Sequence, residues 1–349
     1  MGDSVDKGYL EKRLAPEFAK VLSNPPAYLG AWTNEKIYRK IGRDIIFPLI
    51  PTPLDPLVTV TDRLIPGPEG APAVPVRIYE PRVRNGVLPG LLYFHYGGYS
   101  IGSPAHEDAM CYRYVTEVNC VIVSPDYRLA PENPAPAAYE DCYAALLWLA
   151  ANAKNLHVDP ARIGVTGFSS GGGLAIAVCL MARDRHGVKP VFQMPVAPTI
   201  DDRLQTPSSR EFTDPRALNY GSCKSLWNLY LGKGHENRED ISPYAAPSRA
   251  TDFSGLPPCY AYVGGLDPHR DETMDYVARL AQAGVPTGFT LYPSVIHGFE
   301  LEVPDAAASR QATGTAIRAL RRALHPESGT ESLAARSAAG RGRPDGRGR

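Results

Sequence analysis

From residue 90 onward the chain alternates short apolar runs with longer stretches of helical periodicity, a pattern few folds accept. The runs GLLYFH (90–95), NCVIVSPDY (119–127), RIGVTG (162–167), PVFQMPVA (190–197), PCYAYVGG (258–265) and PTGFTLYPS (286–294) read as strands. Between and after them, residues 137–153, 172–187, 271–284 and 308–324 carry helical spacing. Strands alternating with helices build βαβ units, and those units require a mostly parallel sheet covered on both faces. The expected class is therefore α/β. Ahead of this rhythm, residues 57–81 alternate apolar and polar side chains around a Pro/Gly turn, the pattern of a hairpin. Residues 5–45 read as one or two helices, EFAKVL and NEKIYRKIG, broken by SNPPAYLG.

Two segments fall outside the rhythm. Residues 200–250 interrupt it between two strands, with Trp227, Tyr230 and Leu231 at helical spacing, as a lid or cap would. From Pro326 the chain is Arg/Gly-rich and of low complexity, the composition of a disordered extension.

Composition excludes several functions. With 37 basic and 37 acidic side chains the formal net charge is zero, so no global field recruits nucleic acid. The charged N-terminus lacks the apolar core of a secretory signal, and Asp6 stands where a myristoylation motif needs Ser or Thr. The longest strongly apolar helical run, Leu174 to Ala182, is far short of the roughly 20 residues of a membrane span. The six cysteines form no C-x-x-C pair and read as buried thiols in a cytoplasmic protein.

The glycine run GVTGFSSGGG (164–173) is the most informative local feature. A phosphate loop needs a Lys after its last glycine, and Gly173 is followed by Leu174; the dinucleotide fingerprint spacing is absent too. What remains is Gly167-Phe168-Ser169-Ser170-Gly171, a G-x-S-x-G set between a strand and a helix. Such a turn is sharp enough to strain its central residue, and its flanks must lack Cβ groups. Ser169 is central; the frame around Ser170 lacks the leading glycine.

A serine hydroxyl attacks only if a base takes its proton, and the base needs an orienting carboxylate. In this architecture the chain order is Ser, acid, His. His297 directly follows a strand and can be carried over the sheet edge. His269 is its competitor, two residues from the candidate acid. Asp267 lies just past a strand with Pro268 fixing the turn, whereas Asp271 and Glu272 suit a helix opening. Oxyanion stabilisation needs exposed N–H groups; His95-Tyr96-Gly97-Gly98 after a strand, with the Ser170 N–H, supplies candidates.

Taken together, HYGG, SPDYRLAPENPAPAAYED, GFSSGGG, GLDPHRDE and IHGFE resemble the hormone-sensitive-lipase-like esterases, bacterial family IV, of the α/β-hydrolase fold. The resemblance runs from about Leu14 to Leu324. It implies an α/β-hydrolase fold with a helical cap and a serine carboxylesterase acting on short- to medium-chain esters, with lactones, amides or small-drug esters as the alternative. It implies Ser169 as nucleophile, His297 as base, Asp267 as orienter, and Gly97, Gly98 and Ser170 as oxyanion donors. His95 would brace the oxyanion loop, and Asp126, Tyr127 and Arg128 would hold the loops behind the site. The cap would come from residues 1–45 and an insertion at about 200–245 within a catalytic domain of 46–325, with a tail at 326–349. No metal or organic cofactor is implied; the partner is a small ester, and a homodimer is left open. Tyr96, Tyr99, Phe168, Trp227 and Tyr230 are candidate pocket residues, with core packing as the rival role.

The sequence departs from that family at three positions. Tyr96 replaces the first glycine of H-G-G-G, Phe168 replaces the usual Asp, Glu or Thr before the nucleophile, and His269 replaces the usual Leu after Asp-Pro. None removes a triad member.

Overall fold

A computed structural model describes residues 7–24 and 53–326. The expected helix over NEKIYRKIG and the tail from residue 327 lie outside the described residues. Among them, eight strands form one sheet in the order β1-β2-β4-β3-β5-β6-β7-β8. The expected hairpin is β1 (Val58–Ile65) and β2 (Val74–Pro81), paired antiparallel with Val58 opposite Pro81 and Ile65 opposite Val74. β2 also runs antiparallel to β4 (Val121–Pro125). From there β3 (Leu88–Phe94), β5 (Val158–Phe168), β6 (Phe192–Val196), β7 (Cys259–Leu266) and β8 (Thr287–Ile296) are parallel throughout.

The sheet separates two cores by the two-residue period of its strands. Along β3, Leu92 and Phe94 join one cluster, while Leu91 and Tyr93 join the other. The first face is covered by helices at Ala137–Ala151, Ser170–Asp184 and Arg270–Gln282, the second by helices at Asp108–Val118 and Ala307–Leu324. Helix Ser170–Asp184 is buried from Ser170 to Ala182, which is why its sequence is apolar all round. β3, β4 and β6 are buried along their whole length, the mark of a sheet covered on both sides.

Helix Asp108–Val118 has no counterpart among the expected elements. Its buried residues Cys111, Tyr114, Val115 and Val118 have helical spacing, and Asn119 stops it in the left-handed region with φ 61°. All six cysteines are unbonded and buried. No helix among the described residues is long and apolar enough to cross a membrane.

The insertion and the N-terminal segment meet in space. The insertion carries helices Pro207–Glu211 and Tyr220–Leu231, and the N-terminal segment carries helix Lys7–Arg13. Tyr9 donates to Glu211 at 2.9 Å, Arg216 donates to Glu11 at 2.6 Å, and the Tyr9 ring meets Phe212 edge-on at 6.1 Å. The segment expected as EFAKVL is a short 3-10 turn, Pro16–Phe18, running into helix Ala19–Ser23.

Candidate active site

The site is built where parallel strands end, the edge at which α/β sheets bind their ligands. β5 ends at Phe168 and a helix begins at Ser170, so a single residue, Ser169, turns the chain. It does so with φ 58° and ψ −121°, a region that costs an L-residue about 1–3 kcal/mol. Three backbone bonds hold it there: the Ser169 N–H donates to Val196, and its carbonyl accepts from Gly173 and Thr199 at 3.1 and 3.0 Å. A Cβ on Gly171 would collide with the Phe94 carbonyl, so strand and helix can approach this closely only through glycine.

Two further strand ends complete the set. Asp267 follows β7 and His297 follows β8. His297 Nδ1 donates to Asp267 Oδ2 at 2.7 Å, and Ser169 Oγ lies 3.0 Å from His297 Nε2, close enough to donate. Asp267 is fully buried and its other oxygen accepts the His269 N–H at 2.8 Å. Burial alone would raise the Asp267 carboxyl, but the imidazoles of His297 and His269 and these bonds hold it below its ordinary range. Asp271 instead accepts from the Ser208 N–H at 2.7 Å and from Arg270. His235 pairs with Asp202, and His325 bonds the Val118 carbonyl.

The loop after β3 lies beside this set. Gly97 and Gly98 have φ 134° and 58°, and a Cβ on Gly97 would strike the Ile101 carbonyl. His95 is fully buried and stacks on Tyr127 at 4.1 Å with only 6° between the rings. Its Nδ1 donates to the Tyr96 carbonyl at 2.8 Å, and Tyr127 donates to the His95 carbonyl at 2.8 Å. Burial pushes the His95 imidazole down to about 3, so it stays neutral and structural. Arg128 forks onto Asp141 behind the loop. Ser170 opens its helix, where the first N–H groups have no intrahelical partner.

Of the five candidate pocket residues, two adjoin the site. Phe168 stacks on the His297 ring at 4.7 Å and 26°, and Tyr96 meets Phe168 edge-on at 5.6 Å. Tyr99, Trp227 and Tyr230 are at most 1% exposed and belong to the core. Tyr99 stacks on Tyr230 at 4.1 Å and donates to the Thr199 carbonyl at 2.7 Å. The helical spacing of Trp227 and Tyr230 reads the same for a pocket wall and a core, and here the core has them. An open groove of about 970 Å³ between the β1–β2 turn and helix Ala137–Ala151 contains none of the site residues.

Several polar groups around the site had no local sequence signal. Beneath Phe168 lies a small cavity flanked by Glu107 and Glu300. Tyr93 and the Tyr96 N–H donate to Glu107, and Tyr262 donates to Glu300. Burial raises both carboxyls to about 7. Behind Ser169, Thr199 Oγ1 lies 3.4 Å from Ser169 Oγ and 3.0 Å from His269 Nε2. Asp267, His269 and His297 offer ligand atoms within 4.8 Å of one another, as a metal site would. All three are already bonded to each other or to Thr199 and Glu272, so an ion would have to displace those bonds.

Known proteins share this arrangement of chain. A family model described as the alpha/beta hydrolase fold matches residues 91–301. Carboxylesterase NlhH of Mycobacterium tuberculosis is 37% identical over 279 residues, covering 79% of this chain and 86% of that protein. Esterase LipI of the same species is 34% identical over 312 residues, 89% of this chain and 95% of its own. A solved bacterial heroin esterase superposes with a TM-score of 0.86 at 38% identity, covering 90% of this chain and 99% of that one. Likeness of this extent, in sequence and backbone together, makes the chain a member of the hormone-sensitive-lipase-like esterases of the α/β-hydrolase fold, which are carboxylic ester hydrolases.

Proposed function

We propose that the protein hydrolyses carboxylic esters of short to medium acyl chain through an acyl-enzyme, with Ser169 as nucleophile, His297 as general base and Asp267 as its orienting carboxylate. The observation that carries this is the continuous line Ser169 Oγ to His297 Nε2 at 3.0 Å and His297 Nδ1 to Asp267 Oδ2 at 2.7 Å.

In the first half-reaction Ser169 Oγ attacks the ester carbonyl while its proton passes to His297 Nε2. The imidazolium formed is stabilised by the buried Asp267 carboxylate, whose bond also fixes the tautomer with Nδ1 protonated. The carbonyl oxygen becomes an oxyanion facing the N–H groups of Gly97, Gly98 and Ser170, each such donor being worth about 3 kcal/mol of barrier. His297 then gives its proton to the leaving alkoxide. In the second half a water loses a proton to His297, attacks the acyl carbon and expels Ser169, which takes the proton back. Phe168 supports the imidazole from its face, which accounts for a bulky residue beside the nucleophile.

We assign the N-terminal helix and the 207–231 insertion to a cap over this edge, supported by the bonds of Tyr9 and Glu11 to the insertion. The solved relative named for heroin supports small ester substrates. The test is Ser169→Ala, assayed on p-nitrophenyl esters from acetate to dodecanoate. Loss of turnover by about 10⁴-fold or more, with a wild-type optimum at short to medium chains, is expected. Retained turnover in the variant overturns the assignment, and a long-chain optimum overturns the substrate class.

A further inference from the structure

We propose that Thr199, held by the buried pair His269 and Glu272, is a positioning residue for the nucleophile. It offers Ser169 Oγ a second polar contact besides His297. The proposal rests on the Ser169 reading above and extends it to a second polar chain.

The chain is continuous and enclosed. Glu272 Oε1 lies 2.7 Å from His269 Nδ1, His269 Nε2 is 3.0 Å from Thr199 Oγ1, and Thr199 Oγ1 is 3.4 Å from Ser169 Oγ. Thr199, His269 and Glu272 are at most 2% exposed, so no substrate reaches them. Each member is anchored independently. The Thr199 N–H donates to the Ser169 carbonyl, and the Thr199 carbonyl accepts from Tyr99. Glu272 accepts the N–H groups of Ile200 and Asp201 at 3.1 and 3.2 Å. The His269 N–H donates to Asp267. Thr199 therefore stays beside the nucleophile whatever the acyl group does.

Donor and acceptor counting sets the direction of the chain. Ser169 has one proton and spends it on His297, so its oxygen faces Thr199 with lone pairs only. Thr199 can donate to it only if its own oxygen is an acceptor from His269, which requires Nε2–H. Nδ1 shares a proton with Glu272 at 2.7 Å, so Nε2–H is present both in the imidazolium–carboxylate pair and in its neutral equivalent with Glu272 protonated. Burial lowers the His269 pKa but the charge and hydrogen bond of Glu272 outweigh it and raise it, and burial raises Glu272 as well, so both shifts favour keeping the protons of the pair and with them Nε2–H. The sequence of bonds runs from His269 to Thr199 to Ser169 to His297, each proton pointing toward productive attack. A His269 with a bare Nε2 would instead draw the Thr199 proton away and let Ser169 donate to Thr199, the unproductive direction. The bond to Oγ is long at rest and gains strength when Ser169 carries alkoxide character, both as it attacks and as it leaves.

The test compares Thr199→Val, which keeps the shape and removes the hydroxyl, with Thr199→Ser, which keeps the hydroxyl. Turnover of p-nitrophenyl butyrate and the rate of Ser169 labelling by a fluorophosphonate are measured, with melting temperature recorded for each. A single hydrogen bond realised at the nucleophile predicts that Thr199→Val lowers kcat and labelling about 10-fold with KM unchanged, and that Thr199→Ser recovers most of the loss. His269→Leu should lose about the same factor, and adding it to Thr199→Val should cost nothing more, since one chain is cut once. The proposal fails if Thr199→Val keeps kcat and labelling within about 2-fold. It fails equally if the loss falls on KM, if Ser is no better than Val, or if the double variant is additive. In each of these outcomes Ser169→Ala remains inactive, whereas an active Ser169→Ala rejects the underlying triad instead.

Discussion

Two imidazole–carboxylate pairs flank one serine. His297 with Asp267 and His269 with Glu272 have the same bond length, 2.7 Å, and their rings stand 5.2 Å apart at 72°. Their chemistry is nearly interchangeable; their access is not. The His297 side chain keeps 11% of its surface exposed and faces Ser169 directly, while His269 keeps 1% and reaches Ser169 only through a threonine. A base must collect a proton from the nucleophile and then deliver it to a group arriving from solvent, and only His297 can do both. The enclosed pair can orient but cannot exchange. Position relative to solvent, more than residue type, separates the pair proposed as catalytic from the pair proposed as positioning.

The largest test of that contrast removes the outer pair. His297→Ala should lower kcat/KM by about 10⁴-fold or more, and Asp267→Asn by about 10³-fold, since the amide leaves the ring in the wrong tautomer. Removing His269 should cost only about 10-fold on the same substrate. Equal losses at the two histidines would erase the distinction drawn between the pairs.

A smaller effect is expected at the support of the outer ring. Phe168→Ala removes the face on which His297 stacks and opens a void beside the small cavity at Glu107 and Glu300. Stability should drop by about 3 kcal/mol, read from denaturant unfolding, with kcat falling several-fold relative to the wild type. Unchanged kcat in a folded variant would show that Asp267 alone orients the imidazole.

The smallest effect concerns pH. Glu107 and Glu300 are raised to about 7 by burial, so the folded chain holds these protons more tightly than the unfolded one. The stability they contribute is whole below the ordinary carboxyl range near 4 and is lost as pH rises through about 7. Glu107→Gln, which cannot ionise, should therefore gain on the wild type by about 1–3 kcal/mol between about pH 5 and pH 8. Parallel melting curves of the two proteins across that range would contradict the raised carboxyl.

Much of this molecule was readable along the chain because its signals are local. The alternation of apolar runs and helical stretches needs only neighbours a few residues away, and so does the glycine-flanked turn at Ser169. The ordering Ser169, Asp267, His297 followed from strand ends, each visible where it occurs. Helix Asp108–Val118 was passed over although its apolar spacing was present, because buried Asp108 and the polar residues Arg113, Thr116 and Glu117 broke up the apolar pattern. Trp227 and Tyr230 show the opposite failure: a correct helical period, with core packing as its destination.

By itself the sequence determined the strand–helix rhythm, the turn that strains Ser169 and the glycines that permit it, since backbone sterics act within a few residues. Only the tertiary structure decided that Thr199 lies between Ser169 and His269, 30 residues from one and 70 from the other. Only it decided that Phe168 backs His297, and that Glu107 and Glu300 share a buried cavity. Those contacts depend on where the ends of parallel strands fall side by side, and hydrogen-bonding across a sheet leaves no periodic trace along any one strand.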